Sequence, residues 1–322
     1  MKLGVLANCY GKLTLDEALA KFVALGIEAV EIGAGGYPKK AHCDPAVLLK
    51  NEDEYNKFIA TFKKYGIEPC ALAAHGNPVH PNKEIAAEFE SDFRNAVLLA
   101  EKMGLDTVIT FSGCPGDHDG AKLPNWVTCA WPNDYGEVLD YQWNEVLIPY
   151  WKEEVKFANA HGVTKIALEM HPGFCVYNPE TLLRLREAVG PTIGANFDPS
   201  HLFWQGIDPI AAIRELRGAI YHVHAKDTKV DNINTARNGV LDTKSFKDEP
   251  NRAWIFRSIG FGHDLGTWKA ICSELRLAGY DKVMSIEHED SLMSIDEGLA
   301  KAVEALNQCI IREPMPRTIA WA

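Results

Sequence analysis

Four side chains able to bind a cation stand at the ends of apolar runs in the second half of the chain. They are Glu169 in LEMHP, Asp198 in NFDPSH, His224 in HVHAKD and Glu287 in SIEHE. Three carboxylates gathered in one low-dielectric mouth repel each other and lose hydration, so they need a positive charge between them. A divalent ion supplies it. Three carboxylate oxygens and one imidazole nitrogen suit Mn²⁺ best, and Mg²⁺, Co²⁺, Fe²⁺ or Zn²⁺ accept the same donors. His222 shares the parity of His224 but lies one layer deeper, as expected of a satisfied core histidine. His171, two residues after Glu169, is expected at the mouth, either as a separate general base or as a loop histidine bonding backbone. His75 and His80 in HGNPVHP end an earlier run and are expected to line the same pocket.

These residues meet only if the chain brings successive strand ends to one rim. Eight short apolar runs alternate with helical segments: 2–7, 27–32, 66–75, 106–111, 164–170, 192–198, 219–227 and 281–289. Thr14 with Glu17 reads as a capping box, and Asn178 before Pro179 as a helix start. Eight strand–helix units in one series predict a single (β/α)8 barrel over residues 1–311, with 312–322 as an extended tail. An open doubly wound sheet is the competing fold, but GAGGYPKK at 33–40 lacks the GxGxxG spacing and an immediate helix. The irregular segments 33–50, 75–82, 112–139 and 228–264 all follow strands. In a barrel they rise over the C-terminal face, where active sites are built. Trp126, Trp131 and Trp254 fall in two of them, as sugar-stacking platforms or as small satellite cores.

Composition narrows the partners. The net charge is −11 and no basic run appears, so a sequence-independent grip on a nucleic-acid backbone is not expected. No apolar stretch of about 18 residues predicts a membrane span, and the N-terminus lacks a signal-peptide core. Eight scattered cysteines without a CxxC read as reduced thiols of a cytoplasmic protein.

LEMHP, DPSH at 198–201, the HxKD element at 224–227 and the glutamate ending the eighth run resemble the xylose-isomerase-like barrels, a family of sugar and sugar-phosphate isomerases and epimerases. The resemblance spans about residues 2–311. It implies one divalent metal held by Glu169, Asp198, His224 and Glu287, with Glu169 and Glu287 as the acid/base pair acting on a keto sugar. It further implies that His201 contacts a substrate oxygen and that Lys226 and Asp227 support the site. Asp227 reads either as orienting a ligand or His201, or as a helix or loop cap. The E-x-H-P arrangement around His171 also resembles the metal-dependent catalytic subunits of bacterial enzymes that cleave C-glycosides through 3-keto sugars. There the histidine is the base, and the reaction is a lyase step on a 3-keto glycoside. The long loops and tail suit a bulky glycoside or a second subunit, and the family makes a homo-oligomer the expectation. A remoter resemblance is to apurinic-site endonucleases of the same barrel family, which need a three-metal cluster.

Overall fold

A computed structural model describes residues 1–314, so most of the expected tail, 315–322, lies outside the described residues. Eight parallel strands close into a barrel. In chain order they are β1 (Lys2–Leu6), β2 (Ala29–Gly33), β3 (Glu68–Ala73), β4 (Thr107–Thr110), β5 (Lys165–Glu169), β6 (Ile193–Phe197) and β7 (Ile220–Ala225), then, after an antiparallel pair β8 (Asp227–Val230) and β9 (Trp254–Arg257), β10 (Val283–Ile286). The ring closes where β1 pairs with both β2 and β10. The expected (β/α)8 barrel is the observed one, and each of the eight predicted runs holds one barrel strand.

Local chemistry sets the helix starts. Thr14 Oγ1 accepts from the Glu17 amide at 3.3 Å while Glu17 accepts from the Thr14 amide at 2.9 Å, closing the capping box before Leu15–Ala24. Asn178 accepts from the Thr181 amide at 2.9 Å at the head of Pro179–Val189. No helix among the described residues is long and apolar enough to cross a membrane.

The predicted irregular segment 228–264 is more ordered than its sequence suggests. It contains the β8–β9 pair and the helix Asn232–Asn238. Trp254 stacks on Trp204 at 4.6 Å in a satellite core, which settles its role as packing. Trp131 is exposed, and Trp126 packs edge-on against Tyr177.

The barrel interior positions the site. Inward positions include Leu6, Ala71, Ala73, Ile109 and Ala167, which form their own apolar cluster. Alanines here replace the bulky branched residues that usually fill such an interior. The space they leave is taken by polar side chains from β2, β7 and β10.

Candidate active site

Side chains alternate across a strand, so residues two apart share the inward face. On each strand or just past its end this places Glu169 and His171 inward at β5, Asn196 and Asp198 at β6, His222, His224 and Lys226 at β7, and Ser285, Glu287 and Glu289 at β10. The result is a convergence at the C-terminal rim. One donor atom each from Glu169, Asp198, His224 and Glu287 lie within 4.8 Å of one another.

Each member is held from below or behind. Asp198 caps the short helix Pro199–Phe203, accepting from the Ser200 amide at 2.9 Å with one oxygen. Its other oxygen, Oδ2, is buried and makes no hydrogen bond, although Lys226 Nζ lies 3.1 Å away. Glu169 Oε2 faces His75 Nε2 at 3.0 Å and accepts from Asn196 Nδ2 at 3.1 Å, while Oε1 faces His201 Nε2 at 3.0 Å. His224 Nδ1 lies 3.2 Å from Glu169 Oε2 and 3.1 Å from Glu287 Oε2, yet it too is buried without hydrogen-bond geometry.

The electrostatics tell the same story. Burial, with Glu169 and Glu287 close by, pushes the Asp198 carboxyl up to about 7 against the pull of Lys226. Burial would also raise Glu287, but the Lys226 and His224 charges draw it down to about 2. For His224, burial favours the neutral ring, and the Glu31 and Glu287 charges overcome it and raise it well above an ordinary imidazole. The cluster thus demands positive charge at Nδ1. The two buried atoms without a hydrogen-bond partner, Asp198 Oδ2 and His224 Nδ1, come from residues of a three-oxygen, one-nitrogen donor set, and this set fits a divalent ion.

Beside the cluster opens a cavity of about 590 Å³. Glu169, Glu287 and Lys226 form its polar floor, and Tyr37, Phe111 and Phe174 form an aromatic wall, with Phe111 and Phe174 stacked at 4.3 Å. His171 lies between them, its ring 4.1 Å from His201. His171 Nδ1 lies 2.6 Å from the Pro172 carbonyl, which can only accept, so Nδ1 carries the proton. Burial holds the ring below its usual value, so it is neutral, and Nε2 keeps a lone pair. Burial, with His171 and Lys226 close by, likewise lowers His201 to about 3.

Of the residues singled out from sequence, Glu169, Asp198, His224, Glu287, His75, His171, His201 and Lys226 are brought together. Lys226 bonds Glu287 at 2.6 Å and Glu289 at 3.0 Å. Asp227 is a correction. Its Oδ2 accepts from the Gly260, Gly262 and His263 amides and from Trp268 Nε1, at 2.9–3.2 Å, and its Oδ1 from the Thr228 amide at 2.8 Å, with His263 Nδ1 also at 2.8 Å. Both oxygens are consumed by the loop after β9, the helix beyond it and the Thr228 amide, so of its two readings the loop cap is the observed one. His80 is a second correction: its ring accepts from the Asn82 amide instead of lining the cavity. Sequence reasoning missed Glu31, Asn196, Glu289 and the aromatic wall. Asn196 and Glu289 were accessible by parity with Asp198 and Glu287, and Glu31 as the acid inside the apolar IEAVEI.

Residues 19–309 match the family described as xylose isomerase-like TIM barrel. YfiH of Bacillus subtilis strain 168, an uncharacterized protein, is 42% identical over 312 residues, covering 96% of this chain and all but 1% of its own length (99%). A D-tagatose 3-epimerase-like protein has a similar structure, with TM-score 0.62 and 22% identity over 96% of this chain and 98% of that one. The IolI protein with a bound zinc atom gives TM-score 0.64 and 18% identity over 96% and 98%. At such identities the two structures establish a shared fold.

Proposed function

The chain belongs to the xylose isomerase-like TIM-barrel family, and from that premise we propose that it is a divalent-metal-dependent isomerase or epimerase of a keto sugar or sugar derivative. The observation that carries this reading is the pair of partnerless buried atoms, Asp198 Oδ2 and His224 Nδ1, inside a four-donor cluster at the floor of a cavity. Glu169, Asp198, His224 and Glu287 would hold the ion, with Mn²⁺ the best match to the donors. When bound, a divalent ion polarises a carbonyl and its neighbouring hydroxyl and so acidifies the C–H bond between them.

The chain's own residues supply the rest. Glu287, partly open to the cavity and ionised beside Lys226, takes the proton. Burial would raise Glu169, but the His201, His224 and His75 contacts hold its carboxyl well below the ordinary range, so it takes up a proton from solvent before returning one from the other side of the cluster. His75 and His201 fix Glu169 by one contact on each of its oxygens, so its direction of approach is set before substrate arrives. Lys226 donates to substrate oxygens at the cavity floor, while His201, which does not line the cavity, acts through Glu169.

The first test is elemental analysis of the wild type beside His224→Ala. About one divalent ion per chain, lost in the variant, is expected; no ion in either after Mn²⁺ reconstitution would leave the acids as a structural network. Solvent deuterium uptake into keto sugars then tests the chemistry. Glu287→Gln should abolish uptake, and normal exchange in that variant would remove Glu287 from the acid/base role.

His171 supports a second reading. Its Nε2 lone pair stands beside the aromatic wall, a good place for a base acting on a 3-keto glycoside, with elimination of the aglycone. Aglycone release from a 3-keto glycoside, lost in His171→Asn, separates this lyase from an epimerase.

A further inference from the structure

Glu31 has no part in the chemistry proposed above, yet it is fully buried in the centre of the barrel. Its Oε2 lies 2.9 Å from His222 Nε2, 3.0 Å from His224 Nε2 and 2.9 Å from Ser285 Oγ, and its Oε1 lies 3.1 Å from His224 Nε2. The carboxylate therefore ties β2, β7 and β10 together below the cavity floor.

Glu31, His222 and His224 also have donor atoms close enough to bracket an ion. Their bonding argues against a second metal. No buried polar atom of Glu31 or His222 lacks a partner, and the contacts among them are hydrogen bonds of ordinary length. Two imidazole nitrogens would have to give up protons already shared with the carboxylate. The same three residues make better sense as a device acting on His224.

A carboxylate can only accept, so the nitrogens facing Glu31 must be the protonated ones. His224 Nε2 then carries hydrogen, and in the neutral ring the lone pair falls on Nδ1. Nδ1 is the nitrogen aimed at Glu169 and Glu287 and lacking any hydrogen bond. We infer that Glu31 is a positioning residue: it holds His224 in the Nε2–H tautomer and fixes its ring plane, so that Nδ1 is presented as a metal ligand. His222 and Ser285 anchor Glu31 in turn. The inference rests on the metal site proposed above and goes beyond it by assigning a residue outside the ligand set.

The test compares Mn²⁺ affinity, by calorimetric titration, in the wild type and Glu31→Gln. The glutamine keeps the shape but presents an NH₂ group that can point at His224 Nε2, which favours the opposite tautomer. Affinity is expected to fall about 10–100-fold, the usual range when the carboxylate behind a ligating histidine is altered. Asp227→Asn, which disturbs a buried carboxylate hub away from the ligands, is expected to keep the wild-type affinity and so controls for general loosening. Because Glu31→Gln can fail to fold, the tautomer is also read directly in the wild type, from histidine ¹⁵N shifts of the Zn²⁺-loaded protein. Hydrogen on Nε2 of His224 supports the assignment. Hydrogen on Nδ1, or equal Mn²⁺ affinity in wild type and Glu31→Gln, overturns it. A wild type that binds no divalent ion defeats the metal reading itself, an outcome distinct from equal Mn²⁺ affinity in the two proteins.

Discussion

Replacing Asp227 by asparagine separates anchoring from substrate contact. The native carboxylate meets six nitrogen groups, five of them at 2.8–3.2 Å in the loop 258–264, the helix after it and the start of β8, with the His263 ring supplying the sixth. Asparagine keeps one oxygen. Set where Oδ2 lies, it still accepts from Gly260, Gly262, His263 and Trp268, but as a neutral group. Its NH₂ then faces the Thr228 amide and His263 Nδ1. The imidazole can exchange its proton and accept; the Thr228 amide cannot. One buried donor left bare costs about 1–3 kcal/mol, and bonds to a charged group contribute about 1 kcal/mol more than neutral ones. If half of the four surviving bonds feel that loss, the total is roughly 4 kcal/mol, a large share of the 5–15 kcal/mol typical of a folded domain. Urea unfolding followed by tryptophan fluorescence is the assay. With a slope of about 3 kcal/mol per molar, the midpoint should fall by more than about 1 M, while Mn²⁺ content of the folded variant stays unchanged. A wild-type midpoint together with a raised KM would refute the anchor reading and return Asp227 to the substrate site.

Two further substitutions probe the floor and the wall of the cavity. Gly36→Ala puts a methyl group 1.8 Å from the His75 carbonyl oxygen at a residue with φ +66°, so it should cost more than about 2 kcal/mol in a urea titration and raise KM by displacing His75 and Tyr37; an unchanged midpoint would show that the turn adapts. Lys226→Met removes the ammonium that Asp198, Glu287 and Glu289 share, so Mn²⁺ should bind about tenfold tighter or more while KM rises; weaker Mn²⁺ binding would mean that Lys226 shapes the ligand set instead of competing with the ion.

The barrel was legible because its signal is repeated. Eight apolar runs, each followed by helical segments, allow few other topologies. The cluster was legible for a related reason: strand ends converge in a barrel, so a carboxylate at the end of each of several runs becomes a group in space. What stayed hidden depends on contacts across the ring. Glu31 and His222 are 191 residues apart, and nothing in either run says that the two side chains meet. Asp227 was misassigned as a site residue because its neighbours Lys226 and His224 do face the cavity; parity turns it outward, where β8 begins and the loop 258–264 folds back over it. The β8–β9 pair escaped because its four-residue strands are embedded in a long polar segment, and a strand that short has no clear period.

Parity also explains why the site can hold so much charge without unfolding the barrel. Inward positions on β7 fall in two layers, His222 below and His224 above, with Glu31 bonded to both. The lower layer pairs one carboxylate with two imidazoles and a hydroxyl, so it is satisfied within the protein. The upper layer gathers Glu169, Asp198 and Glu287 around a single imidazole nitrogen, with Lys226 as the ammonium that also reaches it. Without an ion, three buried carboxylates leave an excess of negative charge over the Lys226 ammonium that is offset by drawing protons onto His224 and Asp198. A divalent ion removes that excess. The His224 ring joins the two layers: one nitrogen completes the lower layer and the other is left to the upper. A change at Glu31, though buried beneath the cavity, is therefore felt at the ligand cluster through one rigid ring.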